Sequence, residues 1–283
     1  MSSEPTVRIV TDSACDLSVE ETTTNRIGVV PLTIRFGNDE YIDIEEISPK
    51  SFYEKMAATD TLPATAAPSA GKFEQEFRRM AAEGATAVVC INLSLELSAT
   101  GQAAQQAADS IGDDIDVRVV DSTTITAGLG TIVLRAAEAA ASGATADEVV
   151  ALVEQLRTRT RVFGALDTLE NLKKGGRIGG AKALLGSVLN IKPILNLSSG
   201  AVSEAGKERT RKKALKWLCN ELMSHDSVSD VTVIHGAADD VDDFHAQVSA
   251  LFPDREIRIN LVGPVIGAHA GPRLMAIAFT VDS

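Results

Sequence analysis

Thr11-Asp12-Ser13 follows directly on an apolar stretch, residues 7–11 (VRIVT), that reads as a buried β-strand. Asp121-Ser122-Thr123 stands in the same relation to residues 117–121, and residues 92–98 to residues 86–92. In open α/β sheets, ligands bind beyond the carboxyl ends of the strands. Three polar clusters at three strand ends are therefore candidates to line one crevice, with Asp12, Ser13, Asp121 and Ser122 facing it. Each cluster taken alone also suits a helix N-cap. Residues 93–100 (LSLELSAT) mix hydroxyls with apolar side chains ahead of a helix. Hydroxyls and helix-start amides can hold a carboxylate without a buried cation. Ser94 and Ser98 are the donors there, and Thr65, in a loop stiffened by Pro63 and Pro68, adds another.

Residues 173–180 (KKGGRIGG) set four glycines around Arg177. Glycine lets a backbone approach closely, and arginine presents a planar fork to oxyanions. The spacing matches neither a Walker A loop nor a dinucleotide fingerprint, and a helix C-cap followed by a turn is the alternative reading. His269 lies in a glycine-flanked turn, residues 267–272 (GAHAGP), and His235 precedes Gly236. No two histidines have helical metal spacing, so no metal is expected. No G-x-S-x-G nucleophile elbow occurs, although a triad on another turn stays open.

These side chains need a scaffold, and the spacing predicts one. Strands are expected at 7–11, 27–34, 86–92 and 117–121, alternating with helices at 69–82, 99–110 and 125–141. Ser48-Pro49 opens a further helix through Met56, and residues 59–68 read as a proline-broken loop. That alternation implies a parallel sheet with helices on both faces. Thr145 and Glu148 have capping-box spacing for a helix to about Thr160. Beyond it come strands at 162–166, 191–197, 201–204, 231–235, 256–262 and 274–281. Helices are expected through Lys174, capped by Asp167 and Glu170, at 207–223 and at 241–251. The fold class is α/β in two domains: an N-terminal unit, 1–160, with a parallel sheet, and a C-terminal unit, 161–283, with a mixed sheet.

Composition narrows the function. The 283 residues are 45% hydrophobic and 23% charged, close to globular averages, so wholesale disorder is excluded. No apolar run approaches the roughly 18 residues of a membrane span, and the polar N-terminus lacks the parts of a secretory signal. Cys15, Cys90 and Cys219 are odd in number and far apart, which fits a reducing cytoplasm. Net charge is -12, yet residues 157–216 hold 14 Lys/Arg against 4 Asp/Glu. A basic segment in an acidic chain suits an anionic ligand or an acidic partner surface, or else a solvated helix face. Nucleic acid is a poor partner, with 11 aromatic residues for stacking and an acidic remainder to repel it.

In this order, the motifs resemble the DegV family, whose members include the bacterial fatty-acid-binding FakB proteins. The likeness runs through TDSACDL (11–17), TAAPS (65–69), SLELSAT (94–100), VVDS (119–122), LENLKKGGRI (169–178), LLGSVLNIKPIL (184–195), KERTRKKA (207–214) and GPVIGAHAGP (263–272). The resemblance implies a two-domain fold enclosing one palmitate- or oleate-like fatty acid, with no other cofactor. The protein would be a cytoplasmic carrier, not an enzyme. A separate fatty acid kinase would phosphorylate the carboxyl, and the acyl phosphate would feed phospholipid synthesis. Thr65, Ser94, Ser98 and His269 would then surround the carboxyl, with Arg177 and Arg209 at the phosphotransfer face or kinase contact. This chain departs from the family pattern at Ala66-Ala67, Ala99, Ala268, Ala270 and Arg273, where hydroxyl, amide or glycine residues are usual. A hydrolase or phosphotransferase using Asp12, Ser13, Asp121 and His269, and a carrier of another apolar acid, are the alternatives.

Overall fold

The computed structural model describes residues 6–185 and 191–282. Its first sheet is wholly parallel. It comprises β1 (Val7–Asp12), β2 (Gly28–Val30), β6 (Ala87–Asn92) and β7 (Asp116–Asp121), in the order β2-β1-β6-β7. The inner strand β6 is buried along its whole length and reads as a nearly unbroken apolar run, whereas the edge strand β7 exposes Asp116 and Arg118. Val10, Val88 and Cys90 meet α3 (Ala70–Ala82) and α4 (Thr100–Ile111) on one side. Ile9, Val89 and Ile91 turn to the other side, where α5 (Thr126–Ala141) and α6 (Ala146–Arg159) pack. Thr145 and Glu148 close the expected capping box at the start of α6.

A small antiparallel sheet, β4-β3-β5, flanks this layer: β3 (Thr33–Phe36), β4 (Asp39–Ile42) and β5 (Ala64–Ala66). It corrects two expectations. Residues 27–34 form two strands in different sheets, because Pro31 has no N–H to continue a ladder. The loop expected at 59–68 contains β5, which places Thr65 opposite Ile34. Two helices not yet placed are α1 (Val19–Thr24), capped by Ser18, and α2 (Pro49–Ala58), capped by Ser48.

The second large sheet draws only on residues from 160 onward. Its order is β10-β9-β8-β13-β11-β12, from β8 (Thr160–Ala165), β9 (Lys192–Asn196), β10 (Ser203–Glu208), β11 (Val228–His235), β12 (Arg258–Leu261) and β13 (Met275–Val281). All neighbours run antiparallel except β11 and β12, so the sheet is mixed as expected. Phe163, Ile194, Met275, Ile277 and Phe279 face α8 (Arg211–Leu222) and α9 (Val241–Leu251). Val162, Leu166, Leu195, Leu274 and Ala276 face the core shared with the first half of the chain.

Three local expectations change here. Asp167 does not cap α7 (Glu170–Lys174); its carboxylate is held by Lys192 at 2.8 Å and Arg273 at 3.1 Å. Residues 207–210 belong to β10 and the turn after it, so α8 starts at Arg211 with Thr210 as its cap. The glycine-flanked turn around His269 is instead a short helix, α10 (Pro264–Ala270), opened by proline at its first position.

Candidate functional site

A cavity of about 200 Å³ lies between the two halves, walled mainly by aliphatic side chains. The second sheet supplies Val162, Gly164, Leu195 and Ala276 as its floor. Leu32, Leu93 and Ile125 come from the first half, and Val265 and Ile266 from α10. Polar groups gather at one end of this wall: Thr65, Ser98, Arg177 and His269.

Strand β5 and helix α10 bring Thr65 and His269 together although 204 positions separate them. Their Oγ1 and Nε2 atoms lie 2.9 Å apart. Burial holds the His269 imidazole down to about 4, with the Arg177 guanidinium adding to the effect, so it is neutral at pH 7. Its Nδ1 has no hydrogen-bond partner among the described residues. The ring packs against Gly175, where an added Cβ would collide with Nδ1. That close approach explains the glycine before Gly176-Arg177, the second of which takes φ +73° in the turn. Asn171 of α7 donates from Nδ2 to the Ala268 carbonyl at 3.3 Å, tying α7 to α10.

Arg177 is half-buried. It donates from Nε to the Leu97 carbonyl at 3.1 Å and from Nη1 to the Gly175 carbonyl at 2.7 Å. These bonds fix the guanidinium beside the imidazole. A second cavity, about 350 Å³, opens on the outer side of the same residues. It shares Thr65, Arg177 and His269 with the first and adds Pro63, Asn171, Lys174 and Gly175. The hydroxyl–imidazole pair is therefore a partition with grease on one side and cationic side chains on the other. Sequence reasoning missed Asn171, Lys174 and the specific role of Gly175, although all three lie within the LENLKKGG run.

The strand-end residues behave otherwise. Ser94 is fully buried and donates to the Gly200 carbonyl at 2.7 Å, clipping the 94–98 loop to the β9–β10 turn away from the cavity wall. Ser98 does line the cavity, and its hydroxyl lies 2.8 Å from that of Thr100. Asp12, Ser13, Asp121 and Ser122 do not line it. Their polar atoms serve the turns themselves: Asp12 accepts from Ala14 N, Asn92 Nδ2 and Leu93 N at 2.9–3.0 Å. Ser13 accepts from Leu32 N, and Asp121 from Leu95 N and Thr123 N. Ser122 Oγ accepts from Thr124 N. The expected crevice-lining set is thus a set of internal staples, because its acceptors are taken by nearby backbone amides and the Asn92 side chain. No hydrogen bond joins Ser13 to His269 among the described residues. Arg209 is exposed at the end of β10, off the cavity wall.

The departures from the family pattern have local consequences. Ala67, Ala99 and Ala270 line the cavity with methyl groups. Arg273 occupies a left-handed position, φ +62°, and its guanidinium is held by Asp167 and Asp239. Among the described residues there is no cluster of metal-ligating side chains, and no helix long and apolar enough to cross a membrane. Residues 186–190, within the LLGSVLNIKPIL run, lie outside the described residues.

Comparison with known proteins gives a consistent result. A family model described as an uncharacterised protein of the DegV family matches residues 6–282. A DegV domain-containing protein of Streptomyces coelicolor is 37% identical over 280 residues, covering 96% of this chain and 97% of its own. A solved structure from Thermus thermophilus, described as showing fatty acid binding of a DegV family protein, superposes with a TM-score of 0.89 at 32% identity. The match covers 98% of this chain and 99% of that one. A second, described as DegV, a fatty acid binding protein from Bacillus subtilis, gives 0.88 at 29% identity, covering 98% and 100%.

Proposed function

The chain belongs to the DegV family, and from that premise we propose that it carries one long-chain fatty acid, with the acyl chain in the aliphatic cavity and the carboxyl at Thr65 and His269. The observation that carries this reading is the cavity itself: apolar walls ending at a hydroxyl–imidazole pair. The fatty acid binding described for the Thermus and Bacillus relatives supports it. Each buried methylene contributes roughly 0.8 kcal/mol, so a palmitate-like chain of about 15 methylenes contributes on the order of 12 kcal/mol before losses. Affinity then resides in the tail, and Thr65, His269 and Ser98 need only orient the head.

The protein acts as a carrier rather than a catalyst, and a separate kinase completes the reaction. One carboxylate oxygen bonds to the terminal phosphorus of a nucleotide held by that kinase. The bond from this phosphorus to its bridging oxygen breaks, and the nucleoside diphosphate leaves. A neutral imidazole suits this step, since a cation bonded to the carboxylate would blunt its attack. The outer cavity supports the reading by offering Lys174 and Arg177 to the charge that the phosphoryl group adds. Arg209 and the rest of the basic segment suit the kinase contact, and the acyl phosphate product suits phospholipid synthesis in the cytoplasm. Residues 1–160 and 161–283 act as the two units whose junction holds the lipid.

Native mass spectrometry of the purified protein tests the core of this reading. A co-purified fatty acid, released on denaturation, is expected. An empty protein that also refuses added palmitate and oleate would refute it.

A further inference from the structure

Behind the cavity wall lies a polar junction that the lipid site does not use. Asp16 follows the 3-10 turn Ser13–Cys15 in a left-handed conformation, φ +52°. Its Oδ2 accepts from Thr126 Oγ1 at 2.5 Å, and its Oδ1 from Gly263 N at 3.0 Å. One carboxyl thus joins the end of β1, the first turn of α5 and the residue that starts α10. Gly263 is shaped to this contact, since a Cβ there would come within 2.5 Å of Asp16 Oδ1. Two of the joined segments carry cavity wall on the adjacent residues: Ile125 before Thr126, and Val265 and Ile266 after Gly263. At the far end of α10 stands His269, in its bond to Thr65.

We propose that Asp16 is a positioning residue for the lipid head site, anchoring the start of α10 so that His269 meets Thr65 at the other end.

The surroundings make that anchor sensitive to charge. Asp12 of β1, Asp43 after β4, Tyr53 of α2 and the Cys15 thiol all act on or feel the same buried region, and among the described residues no cation pairs with Asp16. Burial, opposed by Thr126 and reinforced by Asp43, pushes the Asp16 carboxyl up to about 8. Burial likewise raises Asp12 and Asp43 to about 6. Tyr53 packs its hydroxyl against Gly267 in the middle of α10 and, among the described residues, leaves it without a partner. Ionising Asp16 beside two carboxylates and this hydroxyl adds repulsion at the foot of the helix that holds the imidazole.

The test uses the full chain without lipid. His269 is neutral throughout pH 7–9, so movement of its imidazole ¹⁵N signals there reads its hydrogen bond rather than its own titration. Those signals are expected to move with a midpoint near 8 in the unaltered protein and to stay flat in Asp16→Asn, which keeps an acceptor for Gly263 N. Equal movement in both proteins, or none in the unaltered one, would overturn the proposal. A second arm rests on the lipid-binding reading: Asp16→Ala should bind palmitate severalfold more weakly at pH 7, within the loss expected for His269→Ala, and unchanged affinity in a folded Asp16→Ala would also overturn it. Failure of the unaltered protein to bind palmitate would strike the lipid reading alone and leave the imidazole arm to decide.

Discussion

The two faces of the second sheet differ by a single step along the chain. In register, Phe163 opposes Ile277, and the next pair is Gly164 opposite Ala276. The first pair points to α8 and α9, where Phe163 lies against Trp217 at 5.6 Å and stacks on Phe279 at 6.3 Å between ring centroids. The second pair points to the cavity and leaves it unfilled. One face is closed by large rings; the other is hollow because two consecutive partners are small. A binding cavity here is a matter of which residues are withheld from an otherwise ordinary core. Strand alternation keeps the two programmes apart, since a shift of one residue would exchange the faces.

The sharpest way to break this contrast is to fill the hollow face. In Gly164→Phe the new side chain must enter the cavity, with Leu274 Cδ1 the nearest obstacle at 3.2 Å from the first added carbon. Co-purified fatty acid should disappear from the native mass spectrum, while the melting transition stays cooperative and loses about 1–3 kcal/mol of stability. Retained lipid would show that the acyl chain lies elsewhere. The converse change, Phe163→Ala, opens a void on the packed face. It should cost about 3–5 kcal/mol in denaturant unfolding and leave the bound lipid in place.

A finer contrast lies within the head site. His269→Ala removes one hydrogen-bonding partner and should weaken fatty acid binding by about tenfold or less, the worth of one such bond. Kinase-dependent phosphorylation should fall much further, and equal losses in both assays would place His269 in binding only. Arg177→Ala should keep the lipid and lose phosphorylation; loss of lipid would mean that its bonds to Leu97 and Gly175 shape the cavity rather than the transfer.

The smallest expected effect is a pH slope from the buried carboxylates. Their folded-state values are raised, so the folded chain holds protons that the unfolded chain has released. Stability from this source is present below the ordinary carboxylate range and declines up to about pH 8. The lowered imidazoles of His235 and His269 act in the opposite sense, but their share fades above the ordinary imidazole value of about 6.5, as the unfolded chain releases those protons too. Between pH 6.5 and 8 the melting temperature should therefore fall, and Asp16→Asn should flatten the decline.

Most strands of the two large sheets were legible in the sequence as apolar runs bounded by turn residues, although the polar β10 lies at Ser203–Glu208 rather than 201–204, and the capping box at Thr145 marked the start of its helix to the residue. The three-stranded sheet was not, since β4 and β5 are short, largely exposed and carried by Asp39-Glu40 and Ala64-Thr65-Ala66 rather than by a hydrophobic pattern. At the site, Thr65, His269, Ser98 and Arg177 were identifiable by type and motif. Ser94 and the Asp12 and Asp121 clusters were assigned outward because nothing in one dimension tells a hydroxyl aimed at a ligand from one spent on a carbonyl 106 positions away, as Ser94 is on Gly200. Asp16 escaped notice for the converse reason: it sits in a matched motif, but its partners are an amide at 263 and a hydroxyl at 126.

Thr160 is at once the cap that ends α6 and the first residue of β8, buried and bonded back to the Leu156 carbonyl at 3.0 Å. No spare length of chain exists at this crossing to serve as a swivel, and the aliphatic core extends unbroken from one sheet to the other. Swinging the halves apart would shear that common interior.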